Sequence, residues 1–144
     1  MQIRRRIYGV LAASLAAFAS TLVVAPPASA SSSQCTAGMF CMWEHSGYEG
    51  IFYVTYVDSP NVGAGFNDKA TSVWNRTNEW VTIYQHANYQ SDVIWFGNNN
   101  TTARNCVTVA PGASKWSFGG DMFNDQATSV DTGYYRPDCG LNVS

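Results

Sequence analysis

Phe66-Asn67-Asp68-Lys69-Ala70-Thr71-Ser72-Val73 and Phe123-Asn124-Asp125-Gln126-Ala127-Thr128-Ser129-Val130 are one eight-residue phrase written twice, identical at seven positions and different only at Lys69 and Gln126. An internal repeat of this fidelity implies two copies of one supersecondary unit and has to be recognised before strands are assigned. Upstream of each copy lies a second matched pair. Residues 43–50 read WEHSGYEG and residues 84–91 read YQHANYQS. Both place an aromatic residue, four residues, a tyrosine, one residue and then a small residue, with histidine third. The order along the chain is therefore A-B-A-B, giving one unit over about residues 35–78 and a second over about 79–144.

Around these motifs the sequence alternates as half-buried strands do, in Ile51-Phe52-Tyr53-Val54-Thr55-Tyr56-Val57 and in Trp80-Val81-Thr82-Ile83-Tyr84. Asp58-Ser59-Pro60-Asn61 and Gly97-Asn98-Asn99-Asn100 supply turn chemistry. No stretch after Ala30 has a capped helical period. Short strands, many aromatics and frequent Gly and Asn turns predict an all-β sandwich of Greek keys. The aromatics are expected to serve mainly in core packing rather than in binding carbohydrate. The units differ in length: Trp43 to Asn67 is 24 positions and Tyr84 to Asn124 is 40, so the second carries about sixteen extra residues. Gly97 to Asn105 is the most polar part of that interval and is expected to be a long, functional loop.

Arg4-Arg5-Arg6, a small apolar run from Tyr8 to Val24, and Ala28-Ser29-Ala30 read as an export signal occupying residues 1–30, with the domain in 31–144. The apolar run is short and soon interrupted by Pro26 and Pro27, so no membrane span is expected and the mature protein should be secreted and extracellular. Cleavage there leaves five basic residues against ten acidic ones, a net charge of −5. Nucleic acid and anionic membrane surfaces both need clustered cations, so neither is expected as a partner. The 114 residues that remain suit one domain, expected to be a monomer. Cys35, Cys41, Cys106 and Cys139 allow three disulfide pairings. The favoured one joins Cys35 to Cys41, closing a short N-terminal loop, and Cys106 to Cys139, pinning the tail.

With these motifs in view, the chain resembles the βγ-crystallin superfamily. That family pairs an aromatic-x4-aromatic-x-Gly hairpin with a later Asn/Asp-Asn/Asp-x-x-Ser/Thr-Ser calcium motif. Here the hairpin signature is complete at Trp43, Tyr48 and Gly50, while the second matches at Tyr84 and Tyr89 but has Ser91 for glycine. A glycine there normally admits a backbone conformation other residues avoid, so the second hairpin is expected to be distorted. The calcium motif is complete twice, at 67–72 and 124–129. Isolated Asn-Asp and Thr-Ser segments are usually only turns; two copies in register with hairpins point further. The resemblance implies two Ca2+ sites formed where the motifs lie side by side. Asp68 and Asp125 would be the charged ligands and Thr71 and Thr128 the hydroxyl ligands, with Asn67, Ser72, Asn124 and Ser129 completing the motifs. Glu49 or Gln90 would add a hairpin carbonyl. These are hard oxygen donors, as calcium requires, and one carboxylate per motif implies modest affinity.

The Cys35/Cys41 loop and Phe40-Cys41-Met42-Trp43-Glu44, behind an export signal, also resemble small secreted bacterial metalloproteinase inhibitors of crystallin-like fold. That resemblance implies an extracellular metalloproteinase as partner and a substrate-like loop offering a Cys-Val bond, here Cys106-Val107. Val107 would fill the enzyme's apolar pocket. No cysteine follows Cys106 until Cys139, so the loop would be tethered to the tail. The alternative makes Cys106 a structural staple and Val107 an ordinary strand residue. A calcium-stabilised module without inhibitory activity and a secreted antimicrobial toxin remain the other functional readings. An enzyme is not expected: the only histidines, His45 and His86, occupy the same place in two hairpins, and paired cysteines are not nucleophiles.

Overall fold

The computed structural model describes residues 30–96 and 101–144. The expected export signal, but for Ala30, lies outside them, as do Gly97 to Asn100. After a 3-10 turn at Ser32–Gln34 come nine strands: β1 Phe40–His45, β2 Glu49–Thr55, β3 Ser72–Asn75, β4 Val81–Tyr84, β5 Val93–Phe96, β6 Thr101–Val109, β7 Ser114–Lys115, β8 Ser129–Thr132 and β9 Cys139–Val143. One sheet runs β2-β1-β3-β7, and the other runs β5-β6-β4-β8 with β9 parallel to β6. Each unit lends a piece to the other's sheet. β7, from the second unit, pairs with β3, and Ser59, from the first, bridges to Val130 of β8. This exchange makes the fold a pair of interlocked Greek keys rather than two independent halves.

The core lies between the sheets. Phe40, Met42 and Val73 from one face Val81, Ile83, Val107, Val109 and Val130 from the other, with Phe66, Phe118 and Phe123 closing the ends. Burial of each such side chain contributes about 1.5–3 kcal/mol. Because successive strand residues alternate faces, β1 also buries Cys41 and Trp43 on its outer side, under Cys35, Tyr48, Phe52 and Trp74. Cys35 is bonded to Cys41 and Cys106 to Cys139, the favoured pairing.

Among the described residues, much of the extra length of the second unit is strand rather than polar loop. Phe52 faces Trp43 and Cys106 faces Tyr84 in the equivalent pairings, so thirteen of the sixteen extra residues lie before Cys106. They include β5 and the first half of β6, paired from Val93–Arg104 to Phe96–Thr101. Thr101 to Asn105, expected in a loop, thus belong to β6.

Candidate functional site

The two repeated phrases meet at one end of the sandwich. Asp68 and Asp125 both adopt φ 56°, a left-handed conformation that aspartate tolerates better than most residues. This turns each phrase across the other. The Asp68 amide donates to the Ala127 carbonyl at 3.1 Å and the Asp125 amide to Ala70 at 3.2 Å. The side chains repeat the exchange: Thr71 Oγ1 donates to Asp125 Oδ1 at 3.0 Å, and Thr128 Oγ1 to Asp68 Oδ1 at 3.3 Å. Asn67 Nδ2 donates to Asp68 Oδ2 at 2.7 Å and Asn124 Nδ2 to Asp125 Oδ2 at 2.6 Å. Each carboxylate is therefore held by a threonine of the opposite unit and an asparagine of its own.

Two clefts flank this arrangement, and both aspartates line both. The first, about 310 Å³, adds Glu44, His45, Lys69 and Thr71. The second, about 560 Å³, adds Gln85, His86, Gln126 and Thr128. Lys69 Nζ lies 3.9 Å from Glu44 Oε1 in the first. Among the described residues no three His, Cys, Asp or Glu side chains gather as a metal group. A cation here would rely on one or two carboxylates, a threonine hydroxyl and backbone carbonyls. That donor set is all oxygen, and each carboxylate uses only part of its accepting capacity on Thr and Asn. The residues present fit a calcium ion.

Four of the residues expected as ligands are placed differently from the aspartates and threonines. Ser72 Oγ donates to the His45 carbonyl at 2.7 Å and accepts from the Tyr48 amide at 3.2 Å. Ser129 does the same with His86 and Tyr89 at 2.6 and 3.1 Å. Both serines are fully buried and clamp the hairpins. Glu49 and Gln90 do not line the clefts. Gln90 gives its carbonyl to the His86 amide at 2.9 Å, closing the hairpin. The hairpin residues that do line them, Glu44, His45, Gln85 and His86, were legible only as the second and third positions of the hairpin signature. Ser91 causes no strain: the left-handed residues of the second hairpin are Asn88 and Tyr89.

Cys106-Val107 lies in no loop. Val107 is fully buried in β6, facing Ile83 on one side and Leu141 on the other, so a peptidase has no access to that bond while the sheet is intact. The alternative of a staple beside an ordinary strand residue describes these positions. Several aromatics expected in the core are instead on the surface, with Trp95 71%, Tyr56 68% and Trp116 67% exposed. Trp95 and Val93 project from one side of β5, while Ile94 turns inward to meet Gly140. The base of this hairpin is fixed by Arg104 Nε on Asp138 at 3.1 Å and by Arg136 Nε on Asp138 at 2.8 Å. The Arg136 hydrogen bond, with both positive charges adding, holds the Asp138 carboxyl below the usual range.

No curated protein was found to match the chain. The model of "Peptidase inhibitor family I36" matches residues 28–96, just under half of the chain. The match ends at the last residue of β5 and does not reach Cys106. A solved structure described as "Evolution of the eye lens beta-gamma-crystallin domain fold" is 14% identical with a TM-score of 0.52, covering 71% of this chain and 91% of its own. A βγ-crystallin from Ciona intestinalis is 14% identical with a TM-score of 0.49, covering 66% and 99%. A βγ-crystallin from an archaeon is 18% identical with a TM-score of 0.48, covering 67% and 99%. The fold is that of a βγ-crystallin domain, and residues 28–96 are similar to peptidase inhibitor family I36.

Proposed function

We propose that the protein is an exported inhibitor of an extracellular peptidase, a metalloproteinase, whose rigid body is braced by calcium between the two repeated loops. The match to family I36 carries the inhibitory reading. The calcium reading is supported by the exchange of Asp68 with Thr128 and Asp125 with Thr71 across the two units. With Val107 buried, the docking element is the β5–β6 hairpin, where Val93 and Trp95 expose an apolar face on a base held by Arg104, Asp138 and the Cys106–Cys139 bond. A rigid strand loses little conformational freedom on docking, which favours tight binding. The burial of Cys106-Val107 favours a second reading, a calcium-stabilised binding module without inhibitory activity.

Inhibition of a thermolysin-like metalloproteinase by wild type, Trp95→Ala and Val107→Gly separates these. Trp95→Ala should leave stability within about 0.5 kcal/mol and weaken inhibition at least tenfold. Val107→Gly should cost about 2–4 kcal/mol of stability while its folded fraction inhibits as wild type does. No inhibition by wild type would leave the second reading standing, and full inhibition by Trp95→Ala would move the docking element elsewhere.

A further inference from the structure

We propose that the two clefts are unequal cation sites and that Lys69 makes them so, its ammonium serving the first cleft as a built-in counter-charge to Glu44. The inference rests on the calcium reading and assigns each cleft its rank. The repeated phrases differ at one position, Lys69 against Gln126, and that position lines each cleft. The hairpin residues opposite differ to match, Glu44 in the first and Gln85 in the second. In the first cleft Lys69 Nζ and Glu44 Oε1 are 3.9 Å apart, with the side chains only 35% and 26% exposed. Glu44 Oε2 is bonded to the Ile51 amide at 3.2 Å, so the carboxylate cannot swing away from the lysine without giving up that bond. In the second cleft the equivalent pair is uncharged, and Gln126 is held by an amide hydrogen bond from Asn105.

The consequence follows from charge. A divalent ion entering the second cleft meets Asp68 and Asp125 and, among the described residues that line it, no lysine or arginine. One entering the first meets the same two carboxylates beside an ammonium that repels it and already neutralises Glu44. Unit charges a few ångströms apart at a part-buried site change an ion's affinity by about tenfold or more. The second cleft fills first, and the first fills only by competing with Lys69. An exposed ion pair as such contributes little to stability, so a merely structural Lys69 would leave calcium binding untouched.

Calorimetric titration of the purified protein with calcium chloride tests this, using wild type, Lys69→Gln and Gln126→Lys. Wild type should give two steps of unequal affinity. Lys69→Gln, which frees the Glu44 carboxylate, should tighten the weaker step about tenfold and leave the other unchanged. Gln126→Lys should weaken the tighter step. Two steps that persist in Lys69→Gln with affinities within twofold of wild type overturn the assignment of Lys69 while leaving calcium binding intact. Absence of any calcium heat in all three proteins overturns the calcium reading and this inference together.

Discussion

The first unit passes from Trp43 to Asn67 in 24 positions and the second from Tyr84 to Asn124 in 40, yet the contacts that tie hairpin to repeated phrase inside each unit are matched almost bond for bond. Trp43 meets Tyr48 edge-on at 5.0 Å, and Tyr84 meets Tyr89 edge-on at 5.9 Å. The Thr71 amide bonds the Trp43 carbonyl and the Thr128 amide the Tyr84 carbonyl, both at 2.9 Å. Where the halves face each other they are held equal, because a shift in one loop would unpair an aspartate and a threonine in the other. Where the second unit has grown, the added hairpin sits on β6 outside that interface. It brings its own fasteners, β9, the Cys106–Cys139 bond and the Arg104–Asp138 pair.

The largest expected effect tests that separate fastening. Cys106→Ala with Cys139→Ala opens a closed segment of separation 33, against 6 for Cys35 and Cys41. The chain-entropy model gives about 3–4 kcal/mol for the first pair and about 2 kcal/mol for the second. Chemical denaturation measures both, and equal losses would contradict the view that the second unit depends on its tail. A finer comparison comes from the two buried serines. Ser72→Ala and Ser129→Ala each strand a hairpin carbonyl and a tyrosine amide, at a cost of about 1–3 kcal/mol. The two costs should agree within about 0.5 kcal/mol by denaturant midpoint if the hairpins are equivalent.

The smallest expected effect lies at Asp131 of β8, where the equivalent position of β3 in the first unit is Trp74. Burial, and then the nearby Asp58 carboxylate, raise the Asp131 carboxyl above its ordinary value. The folded protein therefore holds that proton more tightly than the unfolded chain does. Asp131 disfavours the fold at neutral pH, and its penalty disappears as pH falls below the ordinary carboxylate value. Asp131→Asn should raise the thermal midpoint slightly at pH 7 and leave it unchanged near pH 3. A midpoint that falls at pH 7 would contradict the sign.

The duplication was legible because both phrases survive nearly intact, and strand alternation placed β2 and β4 within a residue or two. The roles inside the phrases were less legible. Asp68, Thr71, Asp125 and Thr128 meet where the two phrases cross, but Ser72 and Ser129 look the same in sequence whether they face an ion or a hairpin carbonyl. Only the fold shows that His45 and His86 claim them. Thr101 to Asn105 were expected in a loop because they are polar, yet they belong to β6. A β-ladder saturates the backbone of polar residues such as Thr101 and Thr102 as readily as that of valine. Cys106-Val107 suggested a loop by resemblance, whereas its place opposite Tyr84 and Ile83 needed the register of β4 on β6.

Thermal unfolding of wild type and of Asp68→Asn with Asp125→Asn, each in millimolar calcium and in chelator, tests the central claim most directly. Asparagine keeps the left-handed turns open to the chain while removing the two charges. Calcium at about a hundredfold above its dissociation constant should stabilise wild type by about 2.7 kcal/mol per site, seen as a rise in midpoint, and should leave the double variant unmoved. Equal midpoints for wild type with and without calcium, or an equal rise in both proteins, would contradict the account.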